Sequence, residues 1–140
     1  VRTEWLYGEG RNFVNTMLKL SETNDSVRVV NDQYGGPTSA EEVVKVIDLL
    51  CHSEKYGTYH ATCEGVCSWA EFTEKIFELC GKSTKVIRVT TEEYGAAAKR
   101  PANSVLENKK LKETFGYQMA DWEDALKKYL KDRKLIVKEQ

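Results

Sequence analysis

The chain has 140 residues, of which 31% are charged, and 21 Lys and Arg stand against 22 Asp and Glu. The net charge of -1 provides no basic field for nucleic acid, so an acidic ligand has to be bound by a few local cations. No apolar run approaches the roughly 18 residues that span a membrane, and the first residues form no apolar signal segment. We therefore expect a cytoplasmic protein, one domain or a piece of one, with neither nucleic acid nor membrane as partner.

Strand and helix patterns alternate in the first third of the chain. Residues 1–7 predict a strand that ends at Gly8, and residues 27–30 predict a second one, because β-branched residues cluster there. Between them, apolar residues spaced i, i+4, i+7 predict a helix that opens at residues 11–12. This stripe consists of Phe13, Met17 and Leu20. Residues 34–37 contain two glycines and a proline and predict a turn.

Two segments carry the capping-box pattern that marks the start of a helix. In the first, Thr38 is the predicted N-cap with Glu41 reaching back, and in the second Ser68 pairs with Glu71. The first helix is predicted to bury one apolar face, made of Val43, Ile47, Leu50 and Cys51. The second is predicted to run to Cys80 and to stop at Gly81, as helices do at a C-terminal glycine.

The last part of the chain predicts two more strands and two more helices. The strands are at residues 58–62 and 86–90, and residues 91–104 predict a long irregular segment. Asn108 is a candidate cap for a short helix ending at Gly116, and Asp121 for the last helix. The buried face of that last helix is predicted to contain Trp122, Leu126, Tyr129 and Leu130. The alternation indicates an α/β fold, and residues 135–140 are predicted to be a frayed tail.

The four cysteines do not have the spacing of a metal site. Cys51, Cys63, Cys67 and Cys80 form no CxxC pair, whereas zinc modules use such short pairs. Cys51 and Cys80 end predicted helices on the apolar side, where a cysteine behaves as a small hydrophobe. We expect free thiols, as in a reducing compartment, and no metal.

Two motifs of nicotinamide-dependent reductases are missing from this sequence. A dinucleotide fingerprint needs Gly-x-Gly-x-x-Gly, but Gly8 and Gly10 are followed by Phe13 where the third glycine belongs. A Tyr-x-x-x-Lys acid/base pair needs both side chains one helical turn apart, and none of the seven tyrosines has Lys at that spacing. No catalytic residue is therefore assigned.

Four stretches nevertheless resemble one enzyme family. They are Val-Arg-Thr-Glu-Trp-Leu-Tyr-Gly at residues 1–8, Arg-Asn-Phe-Val-Asn-Thr-Met-Leu at 11–18, Val-Asn-Asp-Gln-Tyr-Gly-Gly-Pro-Thr-Ser at 30–39 and Lys-Arg-Pro-Ala-Asn-Ser at 99–104. In this order they resemble the C-terminal portion of dTDP-4-dehydrorhamnose reductases, which are extended short-chain dehydrogenases. The resemblance implies that residues 1–134 combine the last elements of a Rossmann-type NAD(P)-binding fold with the smaller nucleotide-sugar-binding region.

The resemblance also implies a reaction, reduction of a dTDP-4-keto-6-deoxyhexose to dTDP-L-rhamnose, for the intact protein. Its cofactor would be NADPH or NADH, and the catalytic Tyr and Lys and the phosphate loop would precede residue 1. This chain alone would then bind no cofactor tightly and transfer no hydride.

Arg100 is the first candidate for contact with a nucleotide-sugar. A guanidinium can pair two phosphate oxygens at once, and Pro101 restricts Arg100 to extended conformations that help to aim it. Asn103 adds a short polar group nearby. By residue type alone Arg100 is equally compatible with a solvated loop arginine. Trp5 lies at the end of the first predicted strand, and the resemblance places it at the sugar; the alternative is a tryptophan of the core.

The other candidates lie at the predicted first helix and the predicted turn. Asn12 and Phe13 open the helix, whose free N–H groups favour an anion, although Asn12 is also an ordinary N-cap. Gln33 and Thr38 flank the turn and can hydrogen-bond the edges of thymine. Turn and cap chemistry alone would select the same residue types.

Two further hypotheses compete with a reductase. The same fold includes a non-catalytic regulatory subunit of methionine adenosyltransferase with a similar Arg-Pro-x-Asn stretch, and that protein binds a partner without reducing anything. A free-standing small α/β domain is the third. Because a strand at residues 1–7 would be an exposed sheet edge, we also expect the chain to form a homodimer or to be poorly soluble.

Overall fold

The computed structural model describes residues 1–137 as an alternation of short strands and helices, which agrees with the predicted α/β class. Within that range, no helix is long and apolar enough to cross a membrane. The elements, in chain order, are β1 (Leu6–Tyr7), α1 (Phe13–Ser21), β2 (Ser26–Val30), β3 (Tyr34–Gly35), β4 (Thr38–Ser39), α2 (Ala40–Cys51), β5 (Cys67–Ser68), α3 (Trp69–Leu79), β6 (Lys85–Val89), α4 (Thr91–Tyr94), α5 (Lys109–Phe115) and α6 (Trp122–Asp132).

The strands associate in three pairs. β2 and β6 are parallel and in register from Ser26 opposite Lys85 to Val30 opposite Val89. β1 and β4 form a second parallel pair, and β3 and β5 an antiparallel one. Because the chain must cross over between parallel strands, α2 and α3 lie between β2 and β6 in sequence and bring distant segments together.

The two strands predicted at residues 1–7 and 58–62 are wrong over most of their length. Only β1 is regular in the first, and each segment otherwise contributes one isolated bridge, between Arg2 and His60. The ladder stops because Asn108 takes both backbone groups of Thr62: the Thr62 N–H donates to Asn108 Oδ1 at 3.0 Å, and Asn108 Nδ2 donates to Thr62 O at 2.7 Å. A side chain thus replaces the partner strand.

Most helix ends agree with the predicted caps. α3 begins at the Ser68–Glu71 capping box, and α6 begins after Asp121, whose side chain accepts from the N–H of Glu123. α5 ends at Gly116, which is left-handed at φ 61°. Asn108 precedes α5 without a side-chain capping bond, because it bonds Thr62 instead. α6 buries all four residues predicted for its inner face.

α2 departs from the prediction at its N-cap and in part of its buried face. Its N-cap is Ser39, which accepts from the N–H of Glu42, and not Thr38. The helix buries Val43 and Val46, whereas Ile47 and Cys51 are exposed. Val43 is buried and Leu50 packs against the smaller cluster as predicted, but Ile47 and Cys51 lie outside because the helix turns its 42–43–46 side to the core.

Two smaller expectations are also corrected. In α1 the fully buried residue is Val14, while Leu20 is exposed. The segment after β6, predicted to be irregular, begins with the short helix α4.

The described end of the chain is attached to the core. Ile136 packs on the larger cluster, and the N–H of Val137 donates to Leu79 O at 3.3 Å. Of the tail predicted to fray at 135–140, residues 136 and 137 thus make contacts with the rest of the domain. Its remainder, 138–140, lies outside the described residues.

The hydrophobic core has two parts. The larger is centred on α3 and α6, with Phe72, Ile76, Leu126 and Leu130 almost completely buried, and the smaller is centred on Leu111. Three of the four free cysteines are buried in or beside the larger cluster: Cys63, Cys67 and Cys80. Burial raises the pKa of each of these thiols, to about 11 for Cys63. They therefore stay protonated and act as packing groups.

Candidate functional site

A cleft of about 670 Å³ opens between β2, the start of α3 and the loop that follows α4. Small-molecule sites usually have roughly 300–1,000 Å³, so this volume suits a ligand of nucleotide size. The lining residues come from segments far apart in sequence. They are Glu4, Trp5, Phe13, Met17, Arg28, Val29, Val30, Gln33, Trp69, Tyr94, Ala96, Arg100, Pro101 and Ser104.

Three rings, which we call the aromatic floor, form one side of the cleft: Trp5, Phe13 and Trp69. The indoles of Trp5 and Trp69 are stacked, with ring centroids 3.6 Å apart and an interplanar angle of 11°. Phe13 tilts against Trp69 at 4.5 Å and packs on Phe72 of the core at 5.7 Å. The floor is therefore continuous with the core, which fixes its rings in place before any ligand arrives.

Trp5 has an unusual backbone that depends on a close approach to Gly35. Its φ angle is +42°, a conformation that bulky residues rarely adopt. A Cβ on Gly35 would lie 2.5 Å from Trp5 Cε2 and 2.8 Å from Glu4 Oε2, so only glycine fits there. Strained backbone of this kind persists where the surrounding contacts hold it, and it is concentrated at ligand sites.

Glu4 is a partly buried carboxyl beside this floor. Its Oε1 accepts from the N–H of Gly36 at 3.0 Å and from the N–H of Leu106 at 3.3 Å, while its buried Oε2 has no hydrogen-bond partner. Burial raises the pKa of Glu4, and the nearby Ser104 hydroxyl and the hydrogen bonds from the N–H groups of Gly36 and Leu106 oppose that shift.

Two arginines, which we call the cationic rim, supply positive charge to the cleft. Arg28 is anchored, since its Nη2 donates to Glu93 O at 2.9 Å. Arg100 is exposed in the loop after α4 and is followed by Pro101. The cleft thus combines flat apolar surface with two guanidinium groups, which suits a ligand that has a ring and an anionic group.

The structure brings four of the seven predicted contact residues to this cleft: Trp5, Phe13, Gln33 and Arg100. The Gln33 side chain is buried, and its Nε2 donates to Thr91 Oγ1 at 3.1 Å, which fixes the orientation of the amide.

The other three predicted residues do not line the cleft. Asn12 caps α1 by accepting from the N–H of Asn15 and donating to Gly8 O at 2.6 Å. Thr38 is fully buried between Gly36 O and the N–H of Cys63. Asn103 is exposed and accepts from the N–H of Val105. The side chains of all three are engaged in hydrogen bonds with backbone groups.

Sequence reasoning missed several lining residues, chiefly Glu4, Arg28, Trp69 and Tyr94. Glu4 is adjacent to Trp5, and Trp69 opens a helix directly after a capping box. Neither feature by itself indicates a ligand site. The missing information is tertiary, because Trp69 reaches Trp5 only after α3 packs against α1.

Comparison with protein families adds a decisive observation. Residues 1–135 match the model of the RmlD substrate binding domain. The chain belongs to that family. The match covers nearly the whole chain and confirms the resemblance that the four sequence stretches indicate.

Curated relatives of this substrate-binding domain are longer proteins. The spore coat polysaccharide biosynthesis protein SpsK of Bacillus subtilis is 46% identical over 135 residues, which are 95% of this chain and 47% of SpsK. The dTDP-4-dehydrorhamnose reductase of Aggregatibacter actinomycetemcomitans is 40% identical, over 91% of this chain and 48% of the reductase. The chain therefore spans about half the length of the curated relatives it matches.

Solved structures agree with this assignment. A dTDP-4-dehydrorhamnose reductase from Clostridium acetobutylicum is 45% identical with a TM-score of 0.92, over 95% of this chain and 48% of that one. The reductase of Bacillus anthracis, solved in complex with NADP, is 42% identical with a TM-score of 0.91, over 94% and 47%. The substrate-binding domain matches the C-terminal part of these Rossmann-type reductases, which confirms the predicted fold class.

Proposed function

We propose that this chain supplies the nucleotide-sugar site of an NADPH-dependent reductase that converts dTDP-4-dehydro-L-rhamnose to dTDP-L-rhamnose. The observation that carries the proposal is the cleft itself, in which the stacked Trp5 and Trp69 face the same space as Arg28 and Arg100. Relatives that carry the name of this reductase support it.

Each part of the cleft corresponds to one part of a dTDP-sugar. The aromatic floor offers flat surface to the apolar face of a deoxy sugar or base. Arg100 offers a planar fork to the diphosphate, and Gln33 offers an amide to the thymine edge. Asn12, Thr38 and Asn103 support these contacts by holding the turns and the helix start beside the cleft.

The nicotinamide cofactor, NADPH or NADH, is not fitted by the described residues. The turn at Gly8 and Gly10 has no third glycine, and the Asn12 side chain already occupies the start of α1. A pyrophosphate therefore lacks the glycine-rich turn that a dinucleotide site uses there. We infer that tight cofactor binding and hydride transfer depend on residues outside this chain.

Calorimetric titration and NMR amide shifts test the proposal. The chain is titrated with dTDP-L-rhamnose and, as a control ligand, UDP-glucose; shifts are expected at Trp5, Gln33 and Arg100 with the first. Replacing Arg100 by alanine should weaken binding by about tenfold or more, because a charge-assisted hydrogen bond contributes roughly 1.5–3 kcal/mol. Lys99→Ala, which changes the neighbouring exposed cation, should leave the affinity unchanged. Equal affinity for UDP-glucose, or shifts away from the cleft, would contradict the proposal.

A further inference from the structure

We propose that Glu4 is a positioning residue that couples the aromatic floor to the Arg100 segment, so that both sides of the ligand site keep one geometry. This inference rests on the proposed function only for the identity of the ligand. It concerns a residue that lines the cleft and, through its hydrogen bonds, holds other groups in place.

The contacts of Glu4 join three segments that are remote in sequence. Its Oε1 accepts from Gly36, in the turn after β3, and from Leu106, beyond the loop that carries Arg100. One oxygen atom therefore fixes the turn and the loop relative to the residue that precedes Trp5. No other described side chain accepts from both backbone groups.

Backbone hydrogen bonds to β3 hold the loop that carries Arg100. The N–H of Tyr34 donates to Ala102 O at 2.8 Å, and the N–H of Ser104 donates to Tyr34 O at 2.9 Å. These two bonds attach the loop to β3, and the bond from Leu106 to Glu4 fastens its far end. Arg100 stands just before this attached stretch, so its direction depends on it.

The aromatic floor depends on Glu4 from the opposite side. Trp5 keeps its positive φ only while neighbouring contacts hold it, and Glu4 is the residue directly before it. Glu4 Oε2 and the Trp5 ring both meet the face of Gly35 that lacks a Cβ. Fixing the Glu4 carboxyl therefore fixes the peptide that leads into Trp5.

Burying the ionised Glu4 carboxyl costs folding free energy, and packing alone does not explain why this residue is a glutamate. Its Oε2 is buried without a partner, and burial raises the pKa of the carboxyl, so the ionised form is disfavoured in the folded state. An apolar side chain would avoid that cost. A destabilising buried carboxyl of this kind fits a group whose role is to set the geometry of the site.

Circular dichroism provides a test that needs no ligand. The stacked Trp5–Trp69 pair should give an exciton couplet in the far ultraviolet, which Trp69→Phe identifies by abolishing it. Glu4→Ala should lose the couplet, and Glu4→Gln should retain it, because the amide oxygen can accept from the same two N–H groups. Glu9→Ala, a change at an exposed glutamate nearby, is the control. An intact couplet in Glu4→Ala would overturn the proposal.

A double-mutant cycle tests the coupling with thymidine diphosphate as the probe. Arg100→Ala should weaken binding about tenfold in the wild type but less than about threefold when Glu4 is alanine, as expected for residues that interact. Additive effects would overturn the coupling, and a Glu4→Gln variant as damaged as Glu4→Ala would overturn a positioning role.

Two further outcomes are covered: a Glu4→Ala variant that does not fold, and a wild type that does not bind the probe. If Glu4→Ala does not fold, Leu106→Pro removes the N–H that fastens the loop and leaves Glu4 and Trp5 unchanged, although it also replaces the leucine side chain and fixes φ at that position. This variant should keep the couplet, and Arg100→Ala should then have little effect on binding. Normal Arg100 dependence in that variant would refute the coupling. If the wild type does not bind thymidine diphosphate, the proposed function fails, and the couplet alone decides the role of Glu4.

Discussion

Replacing Gly35 by alanine pushes a methyl group into the edge of the aromatic floor. The new Cβ would lie 2.5 Å from Trp5 Cε2 and 2.7 Å from Trp5 Nε1. These atoms belong to a ring stacked at 3.6 Å on Trp69, so the indole cannot retreat without leaving the stack. The substitution therefore forces either the β3 backbone or Trp5 to move.

The size of the effect follows from two contributions. Overpacking costs roughly 1–3 kcal/mol, and losing an aromatic pair costs roughly 0.5–1.5 kcal/mol. The free energy of unfolding should therefore fall by about 2–4 kcal/mol. At roughly 3–4 °C per kcal/mol for a domain of this size, the melting temperature should fall by roughly 6–16 °C.

Urea denaturation and thermal melting, each followed by circular dichroism, measure this change. Gly116→Ala is the control for added volume: Gly116 has no atom within 4 Å of its added Cβ, although, unlike Gly35, it has a positive φ of 61°. It should lose only the roughly 1–2 kcal/mol of left-handed backbone strain and keep the Trp5–Trp69 couplet. A Gly35→Ala protein with its couplet intact and a melting temperature within about 2 °C of wild type would refute the reasoning.

Three further predictions concern other parts of the chain. Asn108→Ala should lower the free energy of unfolding by about 2–4 kcal/mol in urea, because the buried N–H and C=O of Thr62 both lose their partner. Ser68→Ala should lower it by about 1–2 kcal/mol, since it removes the cap of α3 and the bond to Asn31 Oδ1. Burial raises the pKa of Glu4 above its ordinary 4.5, so the folded state binds its proton more tightly. Wild type should lose stability relative to Glu4→Gln as the pH rises from about 4.5 through the raised value.

A specific experimental outcome would contradict each of these three predictions. Gln118→Ala, at an exposed amide, is the control for Asn108, and equal effects of the two would show that burial is irrelevant. Glu71→Gln keeps the capping geometry of α3, so it should be milder than Ser68→Ala, and the reverse order would contradict the cap. A stability difference between wild type and Glu4→Gln that is constant with pH would contradict the raised pKa.

Helix starts were predictable because the signal is local. Ser68 with Glu71, and Asp121 before Trp122, place a polar cap next to an apolar run, and the structure begins α3 and α6 there. Thr38 was misassigned because Ser39 offers the same chemistry one residue later. Only burial of Thr38 against Cys63 decides between them.

The strands and the site were less predictable because their determinants are remote in sequence. Residues 58–62 have strand composition, but Asn108 bonds Thr62 and ends the pairing. Trp5 was recognisable as a candidate, whereas its stacking on Trp69 depends on helix packing. The role of Glu4 depends on two backbone N–H groups that no local pattern reveals.

The parallel pairing of β2 with β6 has a consequence for the order of folding. The two strands are separated in sequence by α2 and α3, so their ladder forms only after a long loop closes. Contacts of such high sequence separation slow folding, and Val29 and Val30 of β2 also line the cleft. The ligand site is thus completed late on the folding pathway. A bound ligand should therefore slow unfolding while leaving the folding rate nearly unchanged.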